Sequence, residues 1–270
     1  MAQVIYDYNA QASTIANATV QTISQGASQL AGDGVCAYLM SLTGTNNDWG
    51  SVARLKVKAG GQLLQDVAQV HLAAFIQRMT TSKWAMAAAD TTATIWPGYT
   101  VDSKSMEERY ACGFPIGQSP TVEVDLDGTG AAGTLTLGWR LYEGTPAFYP
   151  LLLGSAMNIA ASSTAARFPL TQGGLLRGFS IPTTGLTSLR LVINGIQIFN
   201  LSRPLLAQSQ AYEGQDGSST DILFFKITEM VPITAGNSFI QCDTSGSWGG
   251  VGNEVTLYSY APQVTTNNGA

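Results

Sequence analysis

The stretch LKVKAGGQLLQDVAQVHLAAF, Leu55 to Phe75, returns 134 positions later as LRLVINGIQIFNLSRPLLAQS, Leu189 to Ser209. In each copy an apolar strand enters a tight turn, at Gly60-Gly61 or Asn194-Gly195, and leaves as a second strand. Each copy then meets a leucine at the same place, Leu72 and Leu206. One chance match does not account for all of this, and the chain reads as two similar units fused in tandem.

Weaker echoes support the duplication. Phe114-Pro115-Ile116 precedes VEVDLDGTGAAGTLTLGW, and Val231-Pro232-Ile233 precedes FIQCDTSGSWGGVGNEVTLYSY, so each half closes with a Pro-opened strand, a Gly-rich loop and a Thr-Leu strand (Thr136-Leu137, Thr256-Leu257). Upstream, GVCAYLMSLTG (Gly34 to Gly44) resembles GLLRGFSIPTTG (Gly174 to Gly185). The unequal offsets are those of strands retained while loops change length.

A chain of 270 residues has room for one large core or two smaller ones, and the repeat favours two. Only 11% of residues are charged against 45% apolar. A surface covered largely by Ser, Thr, Gln, Asn and Ala suits extensive contact with neighbouring subunits. No uncharged apolar run is long enough to span a bilayer as a helix. The net charge is -5 and no Lys or Arg precedes Arg54, so the N-terminal segment has no means of neutralising phosphates and direct nucleic-acid binding is not expected. Cys36, Cys112 and Cys242 are isolated and odd in number, which predicts buried thiols in a reducing compartment. AQVIYDYNA after Met1 lacks the charged and apolar regions of an export signal, so folding in the cytoplasm is expected.

Residues 1–29 read as an N-terminal arm. Ile5, Tyr8, Ala12 and Ile15 form a thin stripe that permits a helix from about Ile5 to Val20. Strands are expected at Gly34 to Leu42, Val52 to Lys58 and Gln62 to Val67; in the second of these Leu55 and Val57 share one face while Arg54, Lys56 and Lys58 make the other one wet. LAAFIQRM and KWAMAAAD, between Leu72 and Asp90, read as a strand and a short helix, and Ser103 to Cys112 as a helix in a long loop. Strands follow at Thr121 to Leu126 and Thr134 to Leu141.

Pro146, Pro150 and Pro169 break the strand rhythm and make residues 146–173 the linker between a first unit, 30–145, and a second, 174–262; residues 263–270 form a polar tail. Strands of the second unit are expected at Leu186 to Ile193, Ile196 to Leu201, Ile222 to Glu229, Ser238 to Cys242 and Glu254 to Tyr260. Many short strands without alternating helices exclude a doubly wound α/β fold. The fold class expected is all-β: two tandem eight-stranded antiparallel jelly rolls with short interstrand helices.

Residues that carry chemistry are sparse. The single His71 corresponds to Leu205 in the second copy and reads as a packing residue; no GxSxG places a nucleophile. Glu107 and Glu108 point about 100° apart on their expected helix. Asp125 and Asp127 share a strand face about 7 Å apart, a spacing compatible with acid/base work, although solvation or capping beside Gly128 and Gly130 is the preferred assignment. With Glu123 they look metal-like, but no full set of oxygen ligands is present. Trp49, Trp84, Trp96, Trp139 and Trp248 show no repeated spacing, and those in loops suit packing or interfaces better than sugar stacking. The Gly clusters at 128–133 and 246–252 lack the Lys-Ser/Thr of a phosphate loop. No catalytic, cofactor or metal residue is assigned, and no enzyme activity is expected.

The duplicated strand-turn-strand blocks (Leu55 to Val67, Leu189 to Leu201), the helix around Ser103 to Cys112 and the run GTLTLGWRLYEGTPAF together resemble the double jelly-roll major capsid proteins of tailless icosahedral phages with an internal membrane. The resemblance covers about Gly34 to Pro262, at the size of the smaller, corticovirus-like members. It implies a homotrimer forming a pseudo-hexagonal capsomer in a virion shell, contacts with neighbouring capsomers and minor capsid or membrane proteins, and an N-terminal arm on the membrane side. A structural calcium ion, bound by some small members, is implied by the resemblance alone. The alternative is a two-domain jelly-roll carbohydrate-binding or carbohydrate-active protein.

Overall fold

The computed structural model describes residues 5–15, 21–24, 34–59, 61–80, 89–95, 120–127, 132–142, 148–156, 164–170, 175–212, 222–233, 236–245 and 254–262. These are mostly strand. The first half carries β1 (Ile5–Ile15), β2 (Gln21–Ser24), β3 (Gly34–Thr43), β4 (Val52–Ala59) and β5 (Gln62–Ala68), then helix α1 (Gln69–Thr80), then β6 (Thr92–Ile95), β7 (Pro120–Leu126) and β8 (Gly133–Tyr142). The second carries β9 (Phe148–Ala156), β10 (Ala165–Pro169), β11 (Leu175–Pro182), β12 (Leu186–Ile193) and β13 (Ile196–Ser202), then helix α2 (Arg203–Tyr212), then β14 (Ile222–Pro232), β15 (Phe239–Thr244) and β16 (Glu254–Pro262).

The chain divides into two compact units, one of Met1–Gln69, Met79–Leu153 and Tyr260–Ala270, the other of Val70–Arg78 and Gly154–Ser259. In the first unit the strands lie in the orders β1-β8-β3-β6 and β2-β7-β4-β5. In the second, β10-β15-β12-β13 reproduces the latter with every label raised by eight, and β16-β11-β14 reproduces the rest of the former. β9 lies beside β16 as β1 lies beside β8.

Register repeats along with order. Leu55 faces Val67 on one side and Val124 on the other, while Leu189 faces Leu201 and Cys242. Val57 faces Val122 as Leu191 faces Ile240. The hairpin ladder slips at matching places too, leaving Leu64 the extra residue across from Val57 and Lys58, and Ile198 the extra residue across from Leu191 and Val192. Each hairpin turns where the backbone must enter the left-handed region: Gly61 has φ 83°, and Asn194 and Gly195 have φ 53° and 81°. The Asn194-Gly195 pair is the combination that tolerates this twist, and Asn194 is tied down further by its Nδ2, which donates to the Pro232 carbonyl at 3.0 Å.

The inward residues make the cores. In the first unit Leu55, Val57, Val67, Val122, Val124, Leu135 and Leu137 are buried. In the second, Phe179, Leu189, Leu191, Leu206, Phe225, Ile240 and Cys242 belong to one cluster, with Phe179 and Phe225 stacked at 5.0 Å between centroids. Each such aliphatic side chain contributes about 1.5–3 kcal/mol relative to exposure.

Two expectations from sequence are corrected. Ile5–Ile15 is a strand, not a helix: it pairs antiparallel with β8 from Ile5↔Tyr142 to Ile15↔Gly133, and that long-range ladder outweighs a thin helical stripe. LAAFIQRM is helix, not strand: α1 starts at Gln69, and His71, Leu72 and Phe75 bury one face at helical spacing. Within residues 146–173, the expected linker, lie β9 and β10, and Pro169 ends β10, the edge strand of its sheet. The helix expected at Ser103 to Cys112 lies outside the described residues, as does KWAMAAAD up to Ala88.

Candidate functional site

Of the acids singled out by sequence, Glu123 and Asp125 are engaged with bases. Arg54, Lys56 and Lys58 alternate along β4, so they share the outer face, and β5 and β7 flank that strand on both sides. Lys56 Nζ lies 3.0 Å from Asp125 Oδ2, Lys58 Nζ lies 2.7 Å from Glu123 Oε1, and Arg54 pairs with Asp66. Lys56 stands opposite Glu123 and Arg54 opposite Asp125 in the ladder, so both lysine pairs run diagonally. This half-buried ladder knits three strands at about 0–1 kcal/mol per pair. Glu123 and Asp125 do not fit a calcium site, since each already has an ammonium as its counter-ion. Among the described residues no three His, Cys, Asp or Glu side chains converge as a metal set. Asp127 is exposed beyond the end of β7, where its N–H donates to the Ser51 carbonyl at 2.8 Å. Glu107 and Glu108 lie outside the described residues.

His71 is fully buried, its Nδ1 2.7 Å from Ser180 Oγ of β11. One turn on, Phe75 packs against Tyr258 of β16 with centroids 4.6 Å apart. The imidazole therefore fastens α1 to its sheet, in keeping with a packing role. Trp49 is buried in a 3-10 turn that Asp48 and Ser51 cap reciprocally, which removes it as a stacking platform for a sugar. Trp84, Trp96 and Trp248 lie outside the described residues. Cys242 occupies the position of Val124 in the repeat, and burial, with Asp243 beside it, pushes its thiol up to about 12. It is an apolar filler rather than a nucleophile.

The second unit exposes what sequence did not single out. Its counterpart of the charged ladder carries Ser188 hydrogen-bonded to Asp243, Gln241 Nε2 donating to Asp243 Oδ1 at 3.2 Å, and Arg167 stacked 3.5 Å over the Phe239 ring. At the edge of that sheet β13 carries Ile196 and Ile198, 68% and 54% exposed, and Leu205 follows on α2 at 51%. Phe199 and Leu201 of the same strand pack on the core. The only trace in the sequence is that IQIFNLS is apolar on both of its faces.

A strand-rich chain whose order repeats at a shift of eight, with an apolar sheet edge left open among the described residues, has the jelly-roll-like architecture of viral major capsid proteins. Comparison with solved structures bears this out at the level of fold. The chain is similar to the major capsid protein P2 of bacteriophage PM2, with TM-score 0.70 and 12% identity over 98% of this chain and 99% of that one. It is similar to a chain of the Sulfolobus turreted icosahedral virus (TM-score 0.66, 12% identity, 96% and 91% covered) and to one of the PBCV-1 virus capsid (TM-score 0.54, 10% identity, 96% and 94% covered). No family model and no curated protein matches.

Proposed function

We propose that this chain is a major capsid protein built of two tandem eight-stranded jelly rolls, β1–β8 and β9–β16, with the boundary between β8 and β9. Three copies form a pseudo-hexagonal capsomer, and capsomers tile an icosahedral shell around an internal membrane. The observation that carries this is the repeated strand order, 1-8-3-6 with 2-7-4-5, in a chain that matches major capsid proteins over nearly its whole length.

The physical logic is assembly without turnover. A trimer of a duplicated chain presents six similar units, so it packs nearly as a hexagon while its two kinds of unit make different lateral contacts. Contacts of about 2–4 kcal/mol each, repeated around every capsomer, stabilise a shell while each remains reversible. Contacts with minor capsid or membrane proteins, residence in the virion and folding in the host cytoplasm belong to the same proposal.

Sedimentation of the purified full-length chain tests it. A species of three times 28.4 kDa is expected, with hexagonally packed particles in electron micrographs of native material. A chain that stays monomeric at high concentration in capsid-like salt would overturn the proposal.

A further inference from the structure

We infer that the open edge of β13, with Ile198 and Leu205, is closed by the free edge of β1 in a second copy of this chain. This rests on the oligomer proposed above and assigns residues to its contact.

The internal repeat gives the reason. β13 and α2 are the counterparts of β5 and α1. β5 is covered on its far side: Gln65 and Asp66 pair parallel with Leu152 and Leu153 of β9, and the bulged Leu64 is 1% exposed. The next helix is covered too, His71 by Ser180 of β11 and Phe75 by Tyr258 of β16. Among the described residues, β13 has no strand on its far side. The residue matching Leu64 is Ile198 and the residue matching His71 is Leu205, so two positions buried in the first copy of the motif are more than half exposed in the second, and both are apolar.

What should cover them follows from the same correspondence. β5 and α1 meet β9, β16 and β11, and the strands eight places earlier are β1, β8 and β3. These lie in the order β1-β8-β3, as the others lie in the order β9-β16-β11. β1 ends its sheet, and among the described residues no strand is hydrogen-bonded to its outer edge, β13 of the same chain included. Two unpaired edges whose counterparts are joined form complementary halves of one junction. Such a contact is head-to-tail, and repeated it closes a ring.

The test compares the full-length chain with Ile198→Lys/Leu205→Lys. Both side chains are exposed, so the circular dichroism spectrum should be unchanged while half-association requires at least tenfold more protein. Thr184→Lys, an exposed change in the turn between β11 and β12, should associate as the unaltered chain does. Independently, a benzophenone side chain at position 205 should, on irradiation, cross-link to residues 5–15, 34–43 or 133–142 of another copy; this arm decides the matter if the double variant loses its fold. Association unaffected by the two lysines, or cross-links mapping elsewhere, overturns the junction while leaving the capsid proposal standing. An unaltered chain that never associates overturns both.

Discussion

At Gly133, where β8 begins, a β-carbon would lie 1.8 Å from the Thr43 carbonyl oxygen and 2.6 Å from Asn47 Nδ2. The first of these neighbours is backbone in a paired strand, so it cannot swing aside. Gly133→Ala should therefore cost about 3 kcal/mol or more, whereas Gly61→Ala, with nothing within 4 Å but φ 83°, should cost only about 1–2 kcal/mol of backbone strain. Urea titration of the two variants checks the ranking. Cys242 offers a pH test. Its folded pKa, about 12, lies above the unfolded value of 9.0, so the folded state holds the proton more tightly and stability falls as pH rises from 9 toward 12. Cys242→Val, which installs the residue found at Val124, should remove that part of the alkaline loss and be nearly neutral below pH 8. Denaturation midpoints of both proteins across this range would show it. A coincident decline with and without the thiol would refute that assignment.

Among the elements, the hairpins β4-β5 and β12-β13 were the most legible, because each joins two apolar strands through a turn that glycine or Asn-Gly marks in the sequence. α1 was not, since its apolar run has the length of a strand; only the covered face formed by His71, Leu72 and Phe75 distinguishes the period. β1 was hidden for a different reason: its partner, β8, begins more than a hundred residues away, and local propensity carries no trace of such a ladder. The acids of β7 were legible as a group, but their diagonal partners Lys56 and Lys58 follow from register, which composition does not contain. The grip of α1 on its sheet can be tested through His71→Leu. That change leaves Ser180 without this partner and should cost about 1–3 kcal/mol, while adding Ser180→Ala should recover part of the loss because both polar groups are then gone. Chemical denaturation of the two variants and the single alanine completes the cycle; strictly additive effects would mean that the pair is not coupled.

For the molecule as a whole, low charge content sets the conditions of the proposed association. With 11% charged residues, and the described ion pairs of the β4 face satisfied within the first unit, contacts between copies have little to lose to screening. Raising sodium chloride from about 0.05 to about 0.5 M should change the association midpoint less than threefold, while sulfate at equal ionic strength should strengthen it. Sedimentation at the two salts decides; a steep loss with chloride would mean that charge, not apolar area, holds the copies together. The duplication was readable because its strands kept their residues, but the exposure of Ile196, Ile198 and Leu205 was not, since strand period alone does not say which faces lack a neighbour.

α1 is encoded in the first half of the chain, yet Val70–Arg78 belongs to the second unit, where His71 and Phe75 meet Ser180 and Tyr258. Severing the polypeptide between β8 and β9 would strip the upstream fragment of its helix's seat and leave the downstream fragment with a bare sheet. Halves joined in this way cannot be separated, reordered or exchanged piecemeal: the lent helix makes the pair one inheritance.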